Sequence, residues 1–263
     1  MSEHWYTLQG KPCHTQPTKK GAKNATRATT IADARKQKLL PSVSAIIRMA
    51  YNPGLERWKH GKIVEACYNC PPGGGETLED YQQHILQKAD EERNDAADLG
   101  TRIHAGIENY YKGSDKPLDA DIKDYVFAAV DAVDSLHIKP LQHEATVISL
   151  KDGYAGTTDM TWTNADGFVG ILDFKSMKTK PEEPIVPKPT HAAQIAAYHM
   201  AHWVSISPHN AMGYNIYIST TEPGRVNVTT YRASTLLAEW EWFQACLVLW
   251  RHKNKYDPRC TDF

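Results

Sequence analysis

Two carboxylates and an ammonium fall close together in Gly156-Thr-Thr-Asp-Met-Thr-Trp-Thr-Asn-Ala-Asp-Gly-Phe-Val-Gly-Ile-Leu-Asp-Phe-Lys175, as Asp159, Asp173 and Lys175. The stretch reads as strand, turn and strand. Aromatic and β-branched residues run through Trp162 and Thr163, Asn164 to Gly167 supply the turn, and Phe168 to Phe174 form an apolar return strand. Alternation along that strand puts Asp173 and Lys175 on one face and turns Leu172 and Phe174 toward a core. Buried carboxylates are costly without compensation, and magnesium or manganese is a natural partner for paired oxygen ligands. Lys175 can then position or deprotonate a water, or stabilise charge on a phosphate. Taken alone, an Asp-x-Lys pattern describes a buried ion pair on a hairpin equally well.

The elements around the hairpin must carry the rest. Residues 77 to 112 read as acidic helix, with Gly100 expected to separate two helices. The second of these holds His104 and Glu108, one turn apart on the same face. A histidine on a half-buried helix is by itself more often structural than catalytic. A further helix is expected from Asp121 to about His137, followed by a strand from His143 to Leu150, with Glu144 near its start as a weak site candidate. Ser176 to Thr190 contains four prolines together with Lys178, Lys180 and Lys188. It reads as a semi-rigid basic loop leaving the catalytic strand, suited to guiding a polyanion. His191 to Trp203 is helical and aligns Gln194 with Tyr198 at i, i+4, both able to donate hydrogen bonds. Strands Met212 to Ser219 and Arg225 to Tyr231 precede a closing amphipathic helix from Thr235.

Length and composition set the bounds. The chain has 263 residues and a formal net charge of -1, enough for one large domain and without a global basic field, so any contact with nucleic acid must be local. Residues 10 to 38 are the exception. Lys11, Lys19, Lys20, Lys23, Arg27, Arg35, Lys36 and Lys38 face the single acid Asp33, the composition of a flexible basic arm. The expected organisation is an arm over residues 1–40 and one domain over 41–263, with 41–115 as a helical wall and 116–263 as the core.

No apolar run approaches the ~20 residues of a membrane span, and the opening residues lack a secretory signal, so a cytoplasmic protein is expected. No Walker A pattern follows Gly73-Gly-Gly75, and no nucleotide cofactor is expected. Cys13, Cys67, Cys70, Cys246 and Cys260 are expected as free thiols. Only Cys67 and Cys70 have metal-like spacing, and an iron-sulfur cluster is not expected.

Four patterns occur in a set order: Gly100-x-x-x-His104-x-x-x-Glu108, Gly156-x-x-Asp159, Ile171-Leu-Asp173-Phe-Lys175 and Gln194-x-x-x-Tyr198. Together they resemble the PD-(D/E)XK nuclease superfamily, in its RecB-like, phage-type exonuclease branch, over residues 40 to 255. The departures are Thr158 in place of the usual proline and Asp173 in place of glutamate. The resemblance implies an α/β fold with a restriction-endonuclease-like core, a central mixed sheet flanked by helices, and an N-terminal helical region. It implies His104, Asp159, Asp173 and the main-chain carbonyl of Phe174 as ligands of Mg2+ or Mn2+, and Lys175 as the residue that positions water. Gln194 and Tyr198 border the site in this reading, with Glu108 and the loop lysines supporting substrate. The activity implied is exonucleolytic hydrolysis of linear DNA without ATP, in recombination, replication or repair, beside a single-strand annealing or binding protein. A structure-specific (flap) endonuclease, or a nucleic-acid-binding protein of the same fold without catalysis, is the alternative.

Overall fold

A computed structural model describes residues 4–18, 25–50 and 52–259. Its centre is a five-stranded mixed sheet in the order β5 (Lys139–Ser149), β6 (Tyr154–Thr163), β7 (Val169–Met177), β8 (Ala211–Ser219) and β9 (Val226–Arg232). All neighbours are antiparallel except β7 and β8, which run parallel with Asp173 opposite Asn215 and Lys175 opposite Tyr217. A parallel pair requires a crossover, and α6 (Pro189–Trp203) supplies it. The chain is thus α/β, with helices on both faces of the sheet, and is consistent with a restriction-endonuclease-like core.

On one face, α4 (Leu78–Tyr111) and α5 (Lys123–Ser135) bury Ile103, Ile107, Val126 and Val130 against Leu172, Phe174, Ile216 and Ile218. On the other, α6, α7 (Ala233–Asn254) and the short α2 (Val43–Ile47) pack Ile195, Leu236, Phe243 and Ile46 with Ile171. Leu172 and Phe174 therefore do point away from Asp173 and Lys175, as alternation requires.

Helix α4 is continuous through Gly100, contrary to the two helices expected there. The glycine serves close approach, since a Cβ at that position would lie 2.5 Å from Ser176 Oγ on β7. The N-terminal half of α4 pairs with α3 (Pro53–Asn69) around Ala66, Ile85 and Ala89, a small cluster apart from the two main cores.

The flexible arm is also corrected, for the described residues. β1 (Trp5–Tyr6) pairs with β4 (Leu40–Pro41), β2 (Thr15–Pro17) pairs with β3 (Thr26–Ala28), and α1 (Ile31–Gln37) is closed by a Thr30–Asp33 capping box. Trp5 is fully buried in the core, edge to face with Trp250 of α7 at 6.0 Å between ring centroids, and Ala34 and Leu39 join it. Arg27 is spent on Asp33 at 2.6 Å, and Arg35 on the Asn254 carbonyl at 2.5 Å. Apolar anchors at Trp5, Ala34 and Leu39 outweigh the charge count. Lys19, Lys20 and Lys23 lie outside the described residues, as does Cys260.

Candidate active site

Strands β6 and β7 stay paired from Thr163 and Val169 as far as Met160 and Leu172, and there the ladder ends. One residue beyond, Asp159 Oδ2 accepts the Phe174 N–H at 2.6 Å, taking the place of a ladder carbonyl. The next residues on β7 bring Asp173 and Lys175, whose Oδ2 and Nζ are 2.5 Å apart. Asn215, fully buried on β8, donates to the Asp173 carbonyl at 3.1 Å and to its Oδ2 at 3.3 Å. From α4, His104 Nδ1 reaches to 3.7 Å of Asp159 Oδ1, with its ring edge-on to Phe174. Asp159, Asp173, Lys175 and His104 thus meet where the two strands part.

One ammonium serves two buried carboxylates, and the protonation equilibria reflect this. Burial, then the charge of Asp159, pushes Asp173 up to about 6 against the pull of Lys175. Burial alone would lower Lys175, but the charges of Asp173 and Asp159 outweigh it and raise its pKa, so the ammonium persists at neutral pH. Burial works against Asp159 as well, yet His104 and Lys175 hold its carboxyl below the ordinary value. His104 is raised, because Asp159 more than offsets the effect of burial. With Lys175 protonated and both aspartates ionised, the pocket carries excess negative charge when His104 is neutral, the state in which its imidazole could also hold a cation.

That charge and the oxygen-rich donors suit a hard divalent cation, with one imidazole nitrogen from His104. The arrangement is nevertheless not a preformed cage: among the described residues no three His, Cys, Asp or Glu side chains are grouped so as to hold an ion. Lys175 occupies one carboxylate, and His104 faces the other.

The remaining expected residues divide. Gln194 Nε2 donates to Tyr198 Oη at 2.8 Å, and the buried Tyr198 ring lies against Gly156, where a Cβ would meet Cε1 at 2.5 Å. This pair backs the site from α6. Glu108 lines a cavity of about 10 Å³ with His104, Tyr111, His143, Glu144 and Asp159, and it is ion-paired to Lys112. The loop after β7 is fastened down. Thr179 Oγ1 bonds Ser219 Oγ at 2.6 Å and Glu222 Oε2 at 2.9 Å, and Arg225 donates to the carbonyls of Lys180 and Glu183. Lys180 is exposed and pairs with Glu183 at 3.2 Å, Lys178 is exposed, and Lys188, also exposed, precedes the first residue of α6 without capping it through its side chain.

Sequence reasoning passed over Asn215 and His191 and underweighted Glu144. Asn215 had a signal, as the lone amide in the apolar run Ala211 to Ser219. His191 Nδ1 is 3.0 Å from Tyr217 Oη, and burial and the nearby Lys175 push it down to about 3, which keeps it neutral beside the ammonium. Glu144 sits between residues paired with Met160 and Thr158, and so stands across from Asp159, with a left-handed φ of 48°. Although the residue is exposed, loss of water around its carboxyl and then the charges of Asp159 and Glu108 lift it to about 7. Nothing local in the sequence marks that conformation. Cys13, Cys67, Cys70 and Cys246 are free thiols.

No family model matches this chain, and no curated protein does. Among solved structures, an alkaline exonuclease (LHK-Exo) from Laribacter hongkongensis is similar over 76% of this chain and 95% of its own, at 14% identity and a TM-score of 0.32. A protein designated SSO0001 is similar over 78% of this chain and 88% of its own, at 14% identity and a TM-score of 0.25. Overlaps that shallow carry no weight for function, which rests on the site itself.

Proposed function

We propose that this protein is a metal-dependent nuclease that hydrolyses phosphodiester bonds in DNA, acting as an exonuclease on linear molecules without ATP. The observation that carries the reading is the meeting of Asp159, Asp173 and Lys175 at the parting of β6 and β7, where two carboxylates share one ammonium and His104 stands 3.7 Å from Asp159. Asp159, Asp173, the Phe174 carbonyl and His104 would hold Mg2+ or Mn2+. A divalent ion bound there supplies Lewis-acid polarisation of the phosphate and a lowered pKa for attacking water.

The chain's own groups do the rest. Lys175 stays protonated, so it donates a hydrogen bond to the water or to a non-bridging phosphate oxygen and does not remove a proton. Asp173 holds Lys175 in place, and Asn215 holds Asp173. His191, kept neutral by burial, leaves the ammonium as the local positive charge on that side. Tyr198 and Gln194 keep α6 seated behind Gly156. Lys178, Lys180 and Lys188 steer the polyanion toward the site. A role in recombination, replication or repair, beside a single-strand annealing or binding protein, belongs to the same reading.

The test uses end-labelled linear DNA and closed circular DNA, each single- and double-stranded. Linear substrate should shorten from its ends with Mg2+ or Mn2+, circles should persist, and excess chelator should stop the reaction. Asp173→Asn and Lys175→Ala should each cut activity by about a hundredfold or more. Asp173→Asn should leave the melting temperature unchanged or higher, since it removes one of two carboxylates competing for Lys175. Full activity in chelator, or in either variant, would overturn the assignment.

A further inference from the structure

A groove of about 380 Å³ opens between the C-terminal turn of α4, the connection that follows it and the first turns of α5, bordered by Asn109, Tyr110, Lys116, Leu118, Lys123 and Phe127. That volume falls in the range of small-ligand sites. Its two rings are left at the surface. Tyr110 is 46% and Phe127 39% exposed, and they meet edge to face at 6.2 Å, while the isoleucines and valines of the same helices fill the core. Lys123 Nζ stands 5.8 Å from the Phe127 centroid. Arg102 nearby is committed to Asp119 and Asp121, whereas neither Lys116 nor Lys123 is in an ion pair among the described residues.

Ring contacts link the groove to the candidate active site. The Tyr110 ring lies 5.4 Å from that of Tyr111, and Tyr111 stacks on His143 at 4.7 Å. Tyr111 and His143 in turn line the small cavity of His104 and Asp159. A series of rings therefore runs from the charged site to a surface groove with two ammonium groups that are in no ion pair among the described residues.

Exposed π faces beside free ammonium groups complement a strand whose bases are unstacked and whose phosphates lie within reach. A duplex keeps its bases stacked inside and would leave Tyr110 and Phe127 unused, and an acidic peptide would satisfy the lysines alone. We infer that this groove is a subsite for single-stranded nucleic acid. Tyr110 and Phe127 receive a base, and Lys116 and Lys123 contact phosphates of the strand that reaches Asp159, Asp173 and Lys175. The inference deepens the nuclease reading and rests on it for the direction of the strand, but binding is separable from cleavage.

The test titrates the full-length protein, in excess chelator, into a single-stranded oligodeoxynucleotide carrying 2-aminopurine, and into the same sequence as a duplex. Stacking should quench the single strand. Tyr110→Ala with Phe127→Ala should abolish the quench and weaken binding by about tenfold or more, and tryptophan at both positions should restore it. Lys116→Ala and Lys123→Ala should each reduce the slope of log affinity against log salt by about 0.7. An unchanged quench in the double alanine variant, an equal loss of duplex binding, or a loss that tryptophan does not rescue would overturn the subsite. If the parent protein cleaves DNA but shows no such dependence, only the subsite falls. If the dependence holds and no divalent ion supports cleavage, the subsite stands and the nuclease reading falls.

Discussion

At the scale of single residues, the site depends on side chains held in states they do not adopt in water. Asp159 takes a backbone N–H that a strand would ordinarily satisfy, and it stands across from Glu144, whose left-handed backbone is uncommon for a residue with a Cβ. Histidines on α6 show the same pattern away from the site. His199 is 1% exposed, its Nε2 lies 3.4 Å from the Val169 carbonyl, and burial lowers its pKa to about 4. The folded-state value lies below the unfolded one of about 6.5, so between those values the unfolded chain binds the extra proton. Its contribution is therefore complete above pH 6.5 and is lost as the pH falls toward 4, at no more than about 1.4 kcal/mol per pH unit. Urea unfolding at pH 7 and pH 4.5 should show a smaller acid loss for His199→Gln than for the parent chain. Equal losses would mean that His199 titrates normally when folded.

At the scale of elements, small residues decide how closely α4 can lie on its neighbours. Gly106 faces α5, where an added Cβ would stand 2.8 Å from Val126 Cγ2 and 3.2 Å from Ile122 Cδ1. Alanine favours a helix interior by about 1 kcal/mol over glycine, yet overpacking against the stiff, fully buried Val126 costs ~1–3 kcal/mol. Gly106→Ala should therefore lower stability despite its better propensity. Combined with Val126→Ala it should cost less than the sum of the two single changes, because the second removes the methyl group that the first strikes. Additive losses in chemical denaturation would show that α4 and α5 are not in register at that turn. The approach bears on the candidate site because His104, half a turn earlier on α4, lies 3.7 Å from Asp159.

At the scale of the whole molecule, the described residues of the N-terminal region belong to the fold. Trp5 fills the interior between α2, α6 and α7, Tyr6 Oη lies 3.2 Å from Thr157 Oγ1 on β6, and Tyr256 Oη donates to the Leu39 carbonyl at 2.8 Å. Trp5→Ala should lower the unfolding free energy by about 3–5 kcal/mol, the usual effect of emptying a buried aromatic site. A tethered arm would give no change in melting temperature. Among the described residues no helix is long and apolar enough to cross a membrane.

The sequence by itself determined what is local. Turn chemistry at Asn164 to Gly167 and alternation along Val169 to Lys175 were enough to pair β6 with β7 and to place Asp173 with Lys175 on the face opposite Leu172 and Phe174. The i, i+4 spacing of Gln194 and Tyr198 was enough to join them on one helix. The tertiary structure alone decided how these pieces meet. Met160 and Trp162 pack toward α4 and α5, whereas Tyr154 and Gly156 of the same strand face α6 and α7, so the alternation of β6 is interrupted between Gly156 and Met160, the stretch that holds Asp159. That interruption accompanies one left-handed residue, Glu144, on the neighbouring strand, a conformation for which glutamate has no intrinsic preference. The burial of Trp5 was equally hidden, because a run of lysines and arginines sets the composition while a few apolar side chains, matched to a cavity formed by residues some two hundred positions away, set the packing.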